Sequence, residues 1–159
     1  MNSSRLDYVF REDGYTRKMW KGFLAPDVIL EGEPTPPFPH FYVLNTAPSF
    51  AEGEHWCVIF VFQDGCEFFD PYGNPPEFFG LTQSVMKHCH HIISNRQRIQ
   101  SFFSSVCGHH CIFYATMRAR EHCRSEILSV FTNNYRQNDD WVFNWVAKRF
   151  GREVAEIQI

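Results

Sequence analysis

The sequence predicts an α+β fold in which a small, mostly antiparallel sheet packs against helices, and three stretches carry that prediction. Trp56-Cys57-Val58-Ile59-Phe60-Val61-Phe62 is apolar at every position, as a strand buried on both faces is. Gln63-Asp64-Gly65 is a turn, and Cys66-Glu67-Phe68-Phe69 returns as its hairpin partner. Further on, the apolar run Cys111-Ile112-Phe113-Tyr114-Ala115 follows Cys107-Gly108, which predicts a buried helix opening at Cys107 and reaching about Arg120.

The chain of 159 residues is sized for one domain, 1–159, with a substantial core. Hydrophobic content of 44% and 17 Phe point to a core of large rings. A net charge of −3 gives no global field toward nucleic acid or anionic membrane, although Arg96, Arg98, Arg118, Arg120 and Arg124 could form a local basic patch. The polar start Met1-Asn2-Ser3-Ser4-Arg5 does not read as an export signal, so the six cysteines are expected to stay free. Cys57 and Cys66 then read as small buried hydrophobes.

Along the chain, Tyr15 to Leu24 reads as a short helix stopped near Pro26. Four prolines and a glycine between Glu31 and Pro39 make a loop, and Phe41 to Leu44 a short strand. Ala47 to Glu54 is a polar loop leading into His55. After the hairpin, Asp70-Pro71-Tyr72-Gly73-Asn74-Pro75-Pro76 leaves the sheet as a turn. Glu77 to about Cys89 has helical composition, with Phe78, Leu81, Val85 and Met86 as its stripe, and Ile92, Ile93 and Arg96 to Phe103 supply further strand. The last helix is expected over Asp139–Phe150, capped by Asn138, with Asp139 and Asp140 suited to its positive end and Gly151 ending it. Its stripe is Trp141, Val142, Trp145, Val146 and Phe150.

The chemistry-bearing residues come in the order His55, Asp70, Gln100, Cys107. Folding the hairpin brings His55 and Asp70 to one end of the sheet. A thiol at a helix N-terminus beside an imidazole is favoured as thiolate, a carboxylate orients the ring, and an amide donates to an oxyanion. Together these are the parts of acyl transfer by a cysteine peptidase. Gly108 would let a substrate carbonyl approach the Cys107 N–H; Trp56 either walls a groove beside His55 or is a core aromatic at a strand start. His88-Cys89-His90-His91, with Cys107, Cys111 or His122-Cys123, invites a zinc reading, but no second knuckle of matching spacing exists, so no metal is expected.

Asn45-Thr46-Ala47, His55-Trp56, Asp70-Pro71-Tyr72-Gly73 and Gln100…Cys107-Gly108-His109-His110-Cys111 resemble the adenovirus endopeptidase (adenain) family, whose pattern is NTA…HW…[DE]PFG…Q…CGxFC. Gly22-Phe23-Leu24-Ala25-Pro26 resembles a segment that family carries upstream. The resemblance implies an adenain- or SUMO-peptidase-like cysteine protease fold, with His55 as general base, Asp70 as its orienter, Cys107 as nucleophile and Gln100 as oxyanion donor. It also implies a viral or virus-like source and cleavage of capsid or core precursors beside small residues such as Gly during virion maturation. The location implied is the virion and the host nucleus or cytoplasm. Cys89 matches in position the family cysteine that takes an activating peptide through a disulfide, and DNA is a second activator the family suggests; no other cofactor is implied. The chain departs from the family in being shorter toward its C-terminus and in carrying His109-His110 where an apolar pair is usual. The SUMO-type peptidases, which deconjugate a folded modifier, share the His-Trp…Asp…Gln…Cys-Gly order and give the alternative function.

Overall fold

The computed structural model describes residues 1–28, 30, 32–46, 55–81 and 89–156. The element order is α1 (Ser3–Glu12), β1 (Trp20–Leu24), β2 (His40–Asn45), β3 (Trp56–Phe62), β4 (Gly65–Phe69), β5 (Ile92–Ser94), α2 (Cys107–Ala119), α3 (Arg124–Ser129), α4 (Tyr135–Phe150) and α5 (Arg152–Ala155). This is the expected α+β architecture. The five strands lie in sequence order; β2–β3 and β3–β4 are antiparallel, while β1 and β5 join the edges in parallel.

The apolar run of β3 is buried on both faces, as its composition predicts. Val58 and Phe60 join Phe41, Val43 and Phe69 under α1, α2 and α4, whereas Cys57, Ile59 and Val61 pack with Leu44, Phe68 and Leu81 on the other side. Phe41 stacks on Phe60 at 4.9 Å and Phe69 on Tyr114 at 4.2 Å, so rings from sheet and helix interlock at the centre. Truncating one such ring to alanine typically costs about 3–5 kcal/mol.

Several elements differ from expectation. Asn2 caps α1 by accepting from Arg5 N at 3.0 Å, and Leu6, Val9 and Phe10 bury one face at helical spacing. The polar start gave no sign of this helix. Tyr15 to Leu24 is not a helix: a single 3-10 turn, Thr16–Lys18, precedes β1, whose burial alternates with period two beside β2. The described part of the helix expected from Glu77 to Cys89 is a 3-10 turn, Pro76–Phe79, ended by Gly80 at φ +71°. Val85, Met86 and His88 lie outside the described residues, as does the loop 47–54. Strand structure after Ile92 stops at Ser94.

The cysteines are not all free. Cys66 and Cys89 are joined in a disulfide with Cα atoms 5.9 Å apart, tying β4 to the chain entering β5. The Cys89 sulfur is thereby bonded within the chain. Three of the five arginines are engaged by other side chains. Arg118 holds Glu67 through two 2.8 Å bonds, Arg120 holds Asp13 at 2.6 Å, and Arg98 lies 3.4 Å from the centre of the Phe102 ring. Asp13 links the C-terminal ends of α1, α2 and α4. Burial opposes its charge, but bonds from Arg120, Thr16 and Arg149 outweigh burial and hold the carboxyl below its ordinary range. Among the described residues no helix is long and apolar enough to cross a membrane.

His109 and His110, the departure noted after Cys107, are both fully buried in α2. His109 Nε2 donates to Ala155 O at 2.6 Å, docking α5 on the helix. Burial pushes His109 down from 6.5 to about 4. The ring is therefore neutral when folded and takes up a proton on unfolding, so stability is full above about pH 6.5 and falls as pH drops toward about 4. The loss by the lower end is roughly 3 kcal/mol, because a tenfold change in proton affinity corresponds to about 1.4 kcal/mol. Denaturant titrations across this window should show a steeper acid loss in the wild type than in His109→Gln, which cannot take up that proton; equal slopes would remove the histidine from the account.

Candidate active site

Asp70 directly follows β4 and has no exposed surface. The chain then turns sharply through Pro71 and Tyr72, and Gly73 adopts φ +77° where a Cβ would stand 2.9 Å from backbone atoms of Gln97 and Arg98. Only glycine fits that crossing. The turn folds its N–H groups back onto the carboxylate: Tyr72 N donates to Oδ1 and Asn74 N to Oδ2, both at 3.0 Å. Asn95 brackets the Asp70 backbone, its Oδ1 accepting from Asp70 N at 2.9 Å and its Nδ2 donating to Asp70 O at 2.6 Å.

His55 precedes β3 and is buried at the same sheet end. Pairing of Val58 with Phe69 places the residues before and after those strands side by side, which is the closeness the hairpin predicted. His55 Nε2 donates to Asp70 Oδ1 at 2.5 Å. That bond commits Nε2, leaving Nδ1 as the ring nitrogen for proton transfer. Tyr72 stacks on the imidazole at 4.5 Å and 21°, fixing the plane the carboxylate has oriented. Burial disfavours charge on this ring, but hydrogen bonding to Asp70 and to Cys107, with their negative charge, overrides it and raises His55 to about 9.

Cys107 is the first residue of α2 and is 7% exposed. The helix's first intrahelical donor here is His110 N, bonded to Val106 O at 3.1 Å. The N–H groups ahead of it point out of the helix end, where the macrodipole favours negative charge. Thus the structure brings His55, Asp70 and Cys107 together from three separate elements.

Gln100 is also buried nearby, in the irregular chain 95–106. Ile99 N and Gln100 N donate to Pro71 O at 2.9 and 3.1 Å, seating this chain on the Asp70 turn. The side-chain Nε2 donates to Ser104 O and Oγ, each at 3.2 Å, and Oε1 has no partner among the described residues. Donation to an oxyanion would replace one of the Ser104 contacts.

Gly108 and Trp56 both face the N-terminal residue. A Cβ on Gly108 would meet Met1 Cγ at 2.6 Å, and Trp56 Nε1 donates to Met1 O at 3.0 Å. Trp56 is half-buried and packs against the core, with Phe23 at 5.6 Å. Cys57, read from sequence as a buried hydrophobe, lies beside the dyad: its sulfur and one ligand atom each of His55 and Asp70 fall within 4.8 Å of one another. A cation there would compete for the Asp70 oxygens that now hold the ring and the turn. Burial, then Asp70, pushes the Cys57 thiol up, so it stays a neutral neighbour. Of the zinc candidates, His90 is exposed beside Glu33 at 3.8 Å, Cys89 is in the disulfide, Cys123 is exposed at the start of α3, and His88 is outside the described residues.

Sequence reasoning missed Met1, Asn95 and the second buried pair, His110 with Asp139 at 2.9 Å. Tyr72 was visible only as a motif letter. Asn95 and Asp139 carry no local signature, because their partners are distant in sequence.

No protein-family model matches the chain, and no curated protein sequence does. Among solved structures it is similar to the ASFV pS273R protease, at 25% identity and a TM-score of 0.43, over 68% of this chain and 44% of that one. The chain spans less than half the length of that protease. At this TM-score the likeness shows no function, and the chemistry rests on the geometry of the residues.

An imidazolium sustained to about pH 9 by Asp70 and Cys107 sets the alkaline limit of any reaction that needs it. Asp70→Asn removes the carboxylate that offsets burial, so the His55 ring titration, followed by NMR against pH, should move downward from about 9. A midpoint that stays in place would show that Asp70 does not govern the ring.

Proposed function

We propose that the protein is a cysteine endopeptidase acting through an acyl-enzyme. The observation that supports this best is the buried His55–Asp70 bond, with the Cys107 thiol, at a helix N-terminus, hydrogen-bonded to the same ring. In this reading the Cys107 sulfur attacks the scissile carbonyl carbon as thiolate. Negative charge on the carbonyl oxygen is met by the Cys107 N–H and by Gln100 Nε2. The tetrahedral adduct collapses as His55 Nδ1–H protonates the departing amine, leaving a thioester. Water then attacks that thioester while Nδ1 takes its proton, and the sulfur leaves as thiolate with the ring again imidazolium. Asp70 keeps Nδ1 facing the sulfur throughout and stabilises the imidazolium without itself accepting the proton.

The finer reading is an adenain-like maturation protease acting on viral precursor proteins beside small residues. Its support is the sequence resemblance alone, and an activating peptide or DNA belongs to the same reading. For a peptide to reach Cys89, the Cys66–Cys89 bond would first have to exchange.

Cys107→Ala should lower turnover of a Gly-containing peptide by at least about 10³-fold, the scale for removing a nucleophile, with the thermal unfolding midpoint little changed. Persistence of cleavage in that variant would defeat the peptidase reading. Parallel assays with the peptide and with a folded SUMO- or ubiquitin-like fusion separate precursor cleavage from deconjugation, as each predicts turnover of only one substrate.

A further inference from the structure

We propose that Asp139 is a positioning residue for the oxyanion donor, holding Gln100 at a fixed distance from the catalytic helix; this rests on the acyl-transfer reading above. Helix α4 begins at Tyr135 under an Asn134 cap, whose side chain accepts from Gln137 N at 3.1 Å. Asn138 and Asp139 are therefore not terminal. They sit one turn inside the helix, both buried, and make tertiary bonds.

Those bonds fall on the two neighbours of Gln100. Asn138 Nδ2 donates to Ile99 O at 3.0 Å, and Asp139 Oδ2 accepts from Ser101 N at 3.1 Å. From the opposite side, Pro71 O accepts from Ile99 N and Gln100 N. The peptide bearing the amide is thus clamped between the turn that holds Asp70 and the first turns of α4. The other carboxylate oxygen of Asp139, Oδ1, accepts from His110 Nε2 at 2.9 Å. His110 lies three residues beyond Cys107 on the same helix. One carboxylate therefore spans the Gln100 chain and the Cys107 helix.

The chemistry of the span requires a carboxylate. Two N–H donors converge on it from different elements, and each needs an acceptor at a buried position. Asparagine has the same shape but one acceptor oxygen; its NH2 either faces the Ser101 N–H or must donate to His110 Nε2, which moves the ring proton to the buried, unpartnered Nδ1. Shifting an oxyanion donor by a fraction of an ångström reduces the rate rather than substrate affinity, because the bond matures in the transition state.

The test is a double-mutant cycle on the full chain with wild type, Asp139→Asn, Gln100→Ala and the double variant. Asp139→Asn should lower kcat for peptide hydrolysis roughly 10- to 100-fold with KM nearly unchanged, the scale of a misplaced catalytic group. Iodoacetamide alkylation of Cys107, which forms no oxyanion, should keep its wild-type rate and pH profile in the same variant. In the Gln100→Ala background Asp139→Asn should add little or nothing. Should Asp139→Asn not fold, Asn138→Asp, which keeps the acceptor for Thr132 N and loses donation to Ile99 O and to Thr132 O, tests the same clamp through the other neighbour of Gln100 and must give the same pattern. Independent losses that multiply in the cycle, or alkylation falling in step with hydrolysis, overturn the positioning role alone. Gln100→Ala hydrolysing like wild type would instead sink the oxyanion reading and take the positioning role with it.

Discussion

The site depends on giving both oxygens of the Asp70 carboxylate donors where water does not reach them. A buried polar group without partners is costly, so the fold surrounds this one with two turn amides and the His55 ring. The Asp-Pro-Tyr-Gly turn supplies the amides because Gly73 lets the chain cross over the segment at Gln97 and Arg98. The same crossing exposes Pro71 O to the Gln100 chain. A single turn thereby fixes the orienting acid, the ring's rotation and the seat of the amide.

That arrangement decides which nitrogen does chemistry. Because Nε2 is committed to Asp70, protonation and deprotonation in the proposed reaction fall to Nδ1. Burial alone would make the imidazole less basic, as it does for His109 and His110 one turn away. His110 also bonds an aspartate, yet burial prevails there; at His55 the nearby sulfur adds to the carboxylate and the balance reverses. The three histidines share a core and differ in the negative charge facing them.

Legibility follows sequence distance. The hairpin from Trp56 to Phe69 and the helix opening at Cys107 are readable because alternation, turn residues and apolar runs are local. So is the meeting of His55 with Asp70, which the hairpin alone enforces. The start of α4 misleads because Asn and Asp before an apolar stripe suit a cap and a buried clamp equally; Asn134, four residues earlier, takes the cap and frees the others for distant bonds. Tyr15 to Leu24 misleads because β1 is a strand only by virtue of β2 beside it. The Cys66–Cys89 pairing reflects β4 meeting β5 in parallel, a register no spacing rule contains.

Three residues of the site stand at or beside the ends of regular elements, while Gln100 lies in the irregular chain 95–106 and is held there through both its neighbours. His55 precedes β3, Asp70 follows β4, Cys107 opens α2, and Asn138 and Asp139 lie near the start of α4. At such ends the backbone is held rigidly on one side while its N–H and C=O groups remain unclaimed on the other. Mid-element positions lack those spare groups, and free loops lack the rigidity. That is why Pro71 O, the turn amides, Ser101 N and Ile99 O carry so many of the bonds around Asp70 and Gln100. Side chains could be exchanged at many of the surrounding positions, but the backbone groups persist only while the turn and the two helix starts stay where they are. The geometry of the thiol, ring and amide is thus set largely by main-chain contacts, with Gly73 and the Asp139 carboxylate as the side-chain choices those contacts demand.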